Sequence, residues 1–306
     1  MSVRLGIDLG GTKVNLGVLT GDGVILGKRK LAVPAGIGCE ALMALVAGEC
    51  KGLLSGLGLS VRDVGFAGMG VPGSVDRDQS VVLHAPNLHF VHAPCADLME
   101  GCCGLRPRLV QDSRAAAWGE KCFGEAKDSS LLVCITLGTG IGCGIVYNGA
   151  IFHGALGTAG EVGHIPVTGD GWACSCGRFG CMESYASGTG IARMAAEHPE
   201  FRGQALVSEQ VFALAQNGNA SAREIVRRAV NALGQALTAV INTLSPDALI
   251  FSGGMCTQRE LYVDPLIACL RSHGYGLAVD ERLKIGVSSL GSDAPMIGAA
   301  MLDKAL

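Results

Sequence analysis

Between Glu161 and Glu183 the chain reads EVGHIPVTGDGWACSCGRFGCME, which gathers one histidine, three cysteines and two carboxylates in a short span. His164 stands ten residues before Cys174, and Cys174, Cys176 and Cys181 follow with Cys-x-Cys-x4-Cys spacing. One imidazole and three thiolates complete a tetrahedral zinc set and leave no place for a reacting water, so the spacing predicts a structural ion. Gly177 and Gly180 permit the tight turns that would converge three thiols on one point. Glu161 precedes His164 by three residues and Glu183 follows Cys181 by two. The zinc set does not need them, so they read as groups that the loop holds in place for another task. The plain alternative is a loop of free thiols and surface acids.

Three glycine turns supply a second kind of chemistry: Gly10-Gly11-Thr12, Gly138-Thr139-Gly140 and Gly253-Gly254, each after a predicted strand. Glycine there lets backbone amides approach and face a phosphate, so three such turns point to a nucleotide-phosphate cleft. No GxxxxGK followed by Ser or Thr occurs, and no GxGxxG opens a long βαβ unit, which argues against P-loop chemistry and a dinucleotide cofactor. Phosphoryl transfer to a hydroxyl needs a carboxylate that accepts the proton. Asp112 is the candidate, at the end of a short strand (Arg108 to Val110) and the start of a helix, although an aspartate there also suits a helix cap. Asp8 has two readings as well, orienting a magnesium-bound water or a lysine near the phosphates, or bracing the glycine turn.

These groups need elements to carry them. A strand over Val3–Ile7, a glycine turn, a strand over Val14–Leu19 and a strand over Val24–Leu26 form one meander. Leu131–Ile135, Gly144–Tyr147 and Ala150–Phe152 form another, with Gly138 in the place of Gly10. The repetition predicts a duplicated α/β unit, and two such units facing each other would form a cleft. Helices are expected over Cys39–Leu59, Ser113–Phe123, Gly188–His198, Glu209–Gln216 and Ser221–Leu244. The last has the clearest 3.6-residue apolar period, and Pro246 follows its end. A tail helix over Ala294–Leu306 is expected to return to the first unit.

Composition narrows the function class. With 306 residues, 46 glycines, 17% charged and 5% aromatic residues, the chain suits a loop-rich α/β enzyme of two domains. A net charge of -3 gives no general attraction to nucleic acid or to acidic membranes. The uncharged run from Ser129 to Gly160 is broken by glycines and by the Asn148-Gly149 hairpin signal, so it reads as buried strands and not as a membrane span. Thirteen scattered cysteines and a start without a signal-peptide pattern predict a reducing cytoplasm.

Taken together, Asp8-Leu-Gly-Gly-Thr-Lys13, Pro86-Asn-Leu88, Asp112, Leu137-Gly-Thr-Gly-Ile-Gly142, Glu161-x-Gly-His164, Cys174-x-Cys-Gly-x-x-Gly-Cys-x-Glu183 and Gly253-Gly254 resemble the ROK family. The pattern is nearest to the bacterial ATP-dependent glucokinases and covers residues 3 to about 300. The resemblance implies an actin-like ATPase (ribonuclease H-like) fold, α/β, with two duplicated α/β domains around a cleft. The smaller domain would hold residues 1–116 and 292–306, and the larger one, with the zinc loop, residues 117–291. It implies an ATP- and magnesium-dependent hexose kinase with Asp112 as general base. Gly73, Asn87, Gln111, Asp112, Glu161, His164 and Glu183 would bind sugar, with His164, Cys174, Cys176 and Cys181 on structural zinc. Asp8, Gly10, Gly11, Thr12, Lys13, Gly138, Thr139, Gly140, Gly253 and Gly254 would surround ATP. Domain closure would exclude water and align the acceptor hydroxyl with the γ-phosphate. A homodimer is implied by the resemblance alone.

The chain also departs from that pattern. Gln111-Asp112-Ser113-Arg114 stands where the glucokinases read Asn-Asp-Ala-Asn. A cation beside Asp112 would weaken it as a base, unless Arg114 turns away and pairs with an acid such as Glu120 or Glu125. The departure bears on which sugar is used more than on the reaction. Ala115-Ala-Ala-Trp-Gly-Glu120 resembles the N-acetylmannosamine kinases, so that sugar, allose or fructose are alternatives to glucose. A non-catalytic sugar-sensing regulator is the alternative from another class; Asp112 and the lack of a DNA-binding extension argue against it.

Overall fold

Nearly unbroken apolar runs make β1 (Val3–Leu9) and β2 (Lys13–Leu19) buried strands, antiparallel across the first glycine turn with Asp8 opposite Asn15. β3 (Ile25–Ala32) lies along β2 at the edge of the sheet, which is why its Lys28, Arg29 and Lys30 face outward. After α1 (Cys39–Gly56), β4 (Val64–Val71) pairs in parallel with β1. The short strands β5 (Ser74–Val75), β6 (Val82–Ala85) and β7 (Phe90–Ala93) form a small antiparallel sheet of their own. Then come α2 (Cys95–Cys103) and β8 (Arg108–Gln111), which pairs in parallel with β4 and runs straight into α3 (Asp112–Phe123). The computed structural model describes residues 2–273 and 281–305.

The plan then repeats. β9 (Leu131–Leu137), β10 (Ile141–Tyr147) and β11 (Ala150–Ile151) form the second meander. α4 (Glu183–Ala186), α5 (Gly188–Glu197), α6 (Ser208–Gln216) and α7 (Ala220–Leu244) lead to β12 (Ala248–Ser252). α8 (Asp264–His273), β13 (Lys284–Val287) and α9 (Ala294–Ala300) end the series. The two five-stranded sheets have the orders β3-β2-β1-β4-β8 and β11-β10-β9-β12-β13. Each order places the third, second, first, fourth and fifth strands of its set side by side, so the duplication legible in the glycine turns is also present in the topology. The uncharged run after Ser129 supplies β9, β10 and β11, and no helix among the described residues is long and apolar enough to cross a membrane.

Contacts divide the chain into two compact units. The first contains Met1–Asp128, Gly144–Gly157 and Ser292–Leu306; the second contains Ser129–Cys143 and Thr158–Gly291. In the first, Leu5, Ile7, Leu9, Leu16, Met43, Val46, Leu54, Met69 and Leu109 form a solvent-free core between the sheet and α1 and α2. Burying each such side chain is worth about 1.5–3 kcal/mol. α9 lies backbone against backbone on β1 and α3: a Cβ at Gly298 would sit 1.7 Å from the Ala115 carbonyl oxygen. Trp118 Nε1 donates to the Met301 carbonyl at 2.8 Å, and Arg4 pairs with Asp303, which fastens the tail. The expected tail helix stops at Ala300, where a single 3-10 turn (Leu302–Lys304) takes over; Leu306 lies outside the described residues.

In the second unit α7 is the organising helix. Ile225, Val226, Ala229, Val230, Leu233, Leu237, Val240 and Ile241 are buried along one stripe. The Asn219 side chain accepts from Ala222 N at 2.8 Å and caps the start. At the other end Ser245 takes a left-handed conformation just before Pro246.

Candidate active site

The first unit presents two groups of predicted residues. Asp8 sits one residue from the end of β1, where its Oδ2 accepts from Asn15 Nδ2 at 2.7 Å. Burial raises its carboxyl to about 6, against the opposing pull of Asn15 and Lys30; Asp293 adds to the rise. This contact braces the turn that follows, which Gly10 closes by donating to the Lys13 carbonyl at 2.9 Å. Thr12 and Lys13 are exposed at its tip. Gly11 sits against Asn87, so close that a Cβ would lie 3.2 Å from Asn87 Cβ and from its carbonyl oxygen. The structure therefore brings the first glycine turn and Asn87 together, on one wall of a cavity of about 640 Å³. Leu88, from the same motif as Asn87, adjoins them, and residues 33–40, 89–94 and Leu98, which sequence reading did not identify as site residues, supply the rest of the lining.

Asp112 opens α3 directly from the C-terminal end of β8, with its Oδ1 accepting from Ser113 N at 2.6 Å. The carboxylate thus stands at the C-terminal end of a strand and the N-terminus of a helix. Gln111 ends β8 beside Val71 of β4. Gly73 follows β4 with a φ of 146°, and a Cβ there would meet the His84 carbonyl oxygen at 2.2 Å. Arg114 is buried, and its guanidinium donates to His153 Nδ1 at 3.1 Å and to the Gly157 carbonyl at 2.7 Å. Burial, and then the Arg114 charge, hold His153 below its ordinary pKa, so the ring is neutral and its Nδ1 accepts. Sequence reading offered Glu120 or Glu125, farther along the same stretch, as the partner of Arg114. The contacts with His153, 39 residues away in sequence, and with Gly157 reach into a distant loop that no helical spacing suggests.

In the second unit the predicted knuckle is assembled. The ligand atoms of His164, Cys174, Cys176 and Cys181 all lie within 4.8 Å of one another. Cys176 Sγ is 3.6 Å from Cys181 Sγ, and Cys174 Sγ is 3.5 Å from His164 Nδ1. Donors around a tetrahedral zinc at about 2.0–2.3 Å lie roughly 3.5–3.8 Å apart, so the donor set fits that ion. Burial pushes the Cys174 thiol up, but hydrogen bonds, first from the Cys176 backbone, outweigh it and bring Cys174 down to about 7. Burial and the neighbouring thiols push Cys181 to about 12. Three thiols this close cannot all ionise until a cation joins them.

The knuckle is held from outside by a stack that the spacing of the ligands does not reveal. Trp172 stacks on Tyr185 with ring centroids 4.8 Å apart, and the Arg193 guanidinium lies 4.6 Å from the Trp172 ring centroid. Glu161 Oε2 lies 3.9 Å from His164 Nε2, so the nitrogen turned away from the cysteines faces a carboxylate. Glu183 Oε2 accepts from Ile141 N at 2.7 Å, which ties the end of the knuckle to the second glycine turn.

That turn lines a cavity of about 430 Å³ in the second unit. Gly138 and Thr139 meet Gly188, Thr189, Phe212, Gly254, Met255 and Gln258 there. Gly253, just before it, has a φ of 99°, and a Cβ would lie 2.4 Å from the Leu137 carbonyl oxygen, so only glycine fits. Gly188 N donates to the Gly138 carbonyl at 2.9 Å, which seats the start of α5 on the turn. Sequence reading missed this contribution from α5 and α6. The signal was Ser187-Gly-Thr-Gly190, a fourth glycine-rich turn, which leads into a helix.

Comparison with known proteins then gives consistent matches along the whole chain. The model of the ROK family matches residues 4–305. A glucokinase of Halalkalibacterium halodurans is 33% identical, over 98% of this chain and 94% of that protein. An N-acetylmannosamine kinase of Yersinia pestis is 30% identical over 98% of each chain. The crystal structure of a ROK family glucokinase from Streptomyces griseus, in complex with glucose and AMPPNP, superposes with a TM-score of 0.84 at 31% identity, over 98% of this chain and 99% of that one. The expected actin-like ATPase fold is thereby the fold of this chain.

Proposed function

The chain belongs to the ROK family as an ATP-dependent sugar kinase, and from that premise we propose that it phosphorylates a hexose, glucose before others, with Asp112 as general base. The observation that carries the assignment of the base is the position of Asp112, a carboxylate at the C-terminal end of a strand and the N-terminus of α3. The acceptor oxygen attacks the γ-phosphorus in line, its proton passes to the Asp112 carboxylate, and ADP leaves. Asn87, Gln111, Glu161, His164 and Glu183 hold the sugar hydroxyls in this reading, with Gly73 at the turn after β4. The 430 Å³ cavity takes the nucleotide. Gly138 and Thr139 lie toward its phosphates and Gly253 and Gly254 toward the adenosine, with Asp8, Gly10 to Lys13 and Gly140 completing the phosphate contacts.

Magnesium bound with ATP neutralises charge on the transferring phosphoryl group. His164, Cys174, Cys176 and Cys181 would hold zinc as a structural ion, which fixes the orientation of His164 and, through the loop ends, of Glu161 and Glu183. Arg114 donates to His153 and to the Gly157 carbonyl, which supports the reading that part of its hydrogen-bonding capacity is directed at that loop. A cytoplasmic homodimer is part of the same proposal.

A second reading, an N-acetylmannosamine kinase, is supported by the Yersinia pestis relative and by the residue types at 115–120. The test is ADP release with ATP and magnesium across hexoses and N-acetylhexosamines. Preferred turnover of glucose is expected. Preference for N-acetylmannosamine would select the second reading, and no turnover on any sugar would remove the assignment of Asp112.

A further inference from the structure

The cavity beside Gly11 and Asn87 has a second chemical feature. Its wall includes Cys39, and the Sγ atoms of Cys39 and Cys95 lie 3.7 Å apart. The two cysteines are 56 residues apart in sequence and belong to different helices. Each is the first residue of its helix, Cys39 of α1 and Cys95 of α2. The accessible one of the two, Cys39, therefore has its sulfur at a positive helix end, which favours its thiolate. Cys39 is half-buried and faces the cavity, whereas Cys95 is fully buried behind it. The pair is thus asymmetric, with an accessible attacking thiol and a sheltered resolving one.

We propose that Cys39 and Cys95 are a site of reversible oxidation by hydroperoxides, and that the disulfide they form closes down the cavity shared by the first glycine turn and Asn87. The Cys39 thiolate attacks the terminal oxygen of a hydroperoxide, the O–O bond breaks, and an alcohol (water, from hydrogen peroxide) leaves, with Cys39 as the sulfenic acid. Cys95 sulfur then attacks the Cys39 sulfur, and the sulfenic hydroxyl leaves with the Cys95 proton as water. Two electrons pass from the two thiols to the hydroperoxide.

Other features favour this pair. The contact with Cys95 lowers the Cys39 thiol from its ordinary pKa and raises that of Cys95. Farther along the same helices, Cys50 and Cys103 are both buried and neither lines the cavity, so neither offers an accessible attacking thiol. A bond between two sulfurs now in van der Waals contact draws the starts of α1 and α2 together. Residues 33–38 enter α1 and residues 87–94 enter α2, and both stretches line the cavity. The disulfide therefore acts on the loops through the helix ends that anchor them.

The effect on turnover rests on the kinase reading; the cross-link does not. The test treats the full chain, zinc included, with equimolar hydrogen peroxide, blocks remaining thiols and locates disulfides by tandem mass spectrometry. A bond between Cys39 and Cys95 is expected, with sugar phosphorylation reduced by about tenfold or more and restored by dithiothreitol. Cys39→Ser, which changes one atom on the cavity wall, is compared with its own untreated activity, and that activity is expected to survive the same treatment. Absence of the 39–95 bond overturns the proposal. Equal inactivation of Cys39→Ser overturns the link to turnover and assigns the loss to other thiols, of which Cys102 and Cys176 are exposed. A cross-link in a protein that phosphorylates no sugar when reduced would uphold the oxidation site and remove the kinase reading instead.

Discussion

At Asp112 one carboxylate answers two demands. Its Oδ1 accepts from Ser113 N at the start of α3, and in the proposed reaction the same group takes the proton of the acceptor hydroxyl. Replacement by asparagine keeps the shape and removes the base. Asp112→Asn is expected to lower kcat by about 10²–10⁴-fold while sugar binding, followed by calorimetry, stays within a fewfold of the parent. Near-normal turnover would remove Asp112 from the mechanism. Asp8 gives a different prediction, because its carboxyl is held at about 6 and not at its ordinary 3.8. A folded-state value above the unfolded one means that ionised Asp8 opposes folding. The cost is present in full above about pH 6 and fades as pH falls toward 4. Asp8→Asn should therefore be more stable than the parent near pH 7.5, by on the order of 1–3 kcal/mol, and the gain should be nearly gone by about pH 3.5. Equal denaturant midpoints at both pH values would count against that burial cost.

Between elements, the knuckle is joined to what surrounds it by single contacts. Glu183 links it to Ile141 at the second glycine turn, and Trp172, Tyr185 and Arg193 stack behind it. Cys176→Ala leaves three donors, so bound metal is expected to be lost and the Michaelis constant for sugar to rise by about 10–100-fold. Metal content by atomic absorption and a saturation curve check this, and an unchanged Michaelis constant would uncouple the loop from sugar binding. The ligands were legible because metal geometry fixes both residue type and short spacing. The stack was not, because Trp172 and Arg193 carry no such constraint and meet only once α5 is folded. The contacts of Arg114 with His153 and Gly157 were hidden for a related reason: folding delivers both from a distant loop, with no local signal.

At the scale of the whole molecule, duplication was readable because each copy repeats strand, glycine turn, strand and turn. The sheet orders then follow from pairing rules. The return of the tail at 292–306 was readable, whereas the grouping of residues 144–157 with the first unit was not, because no local period announces it. The seam under α9 depends on small residues for close approach, since Gly298 faces Ala115 and Gly6 faces Met296. Gly298→Val has no room against a backbone oxygen and is expected to destabilise the protein by about 3 kcal/mol or more, measured by denaturant unfolding.

That seam also has a consequence in time. Ribosomes deliver β1, β4 and α3 long before α9, at about 5–20 residues per second, so roughly 10–30 seconds separate Asp128 from Ala294. During that interval the newborn first unit lacks the helix that covers Gly6, Gly68 and Gly119. Its glycine-lined face is open to chaperones, and to the wrong partner, until translation is almost finished.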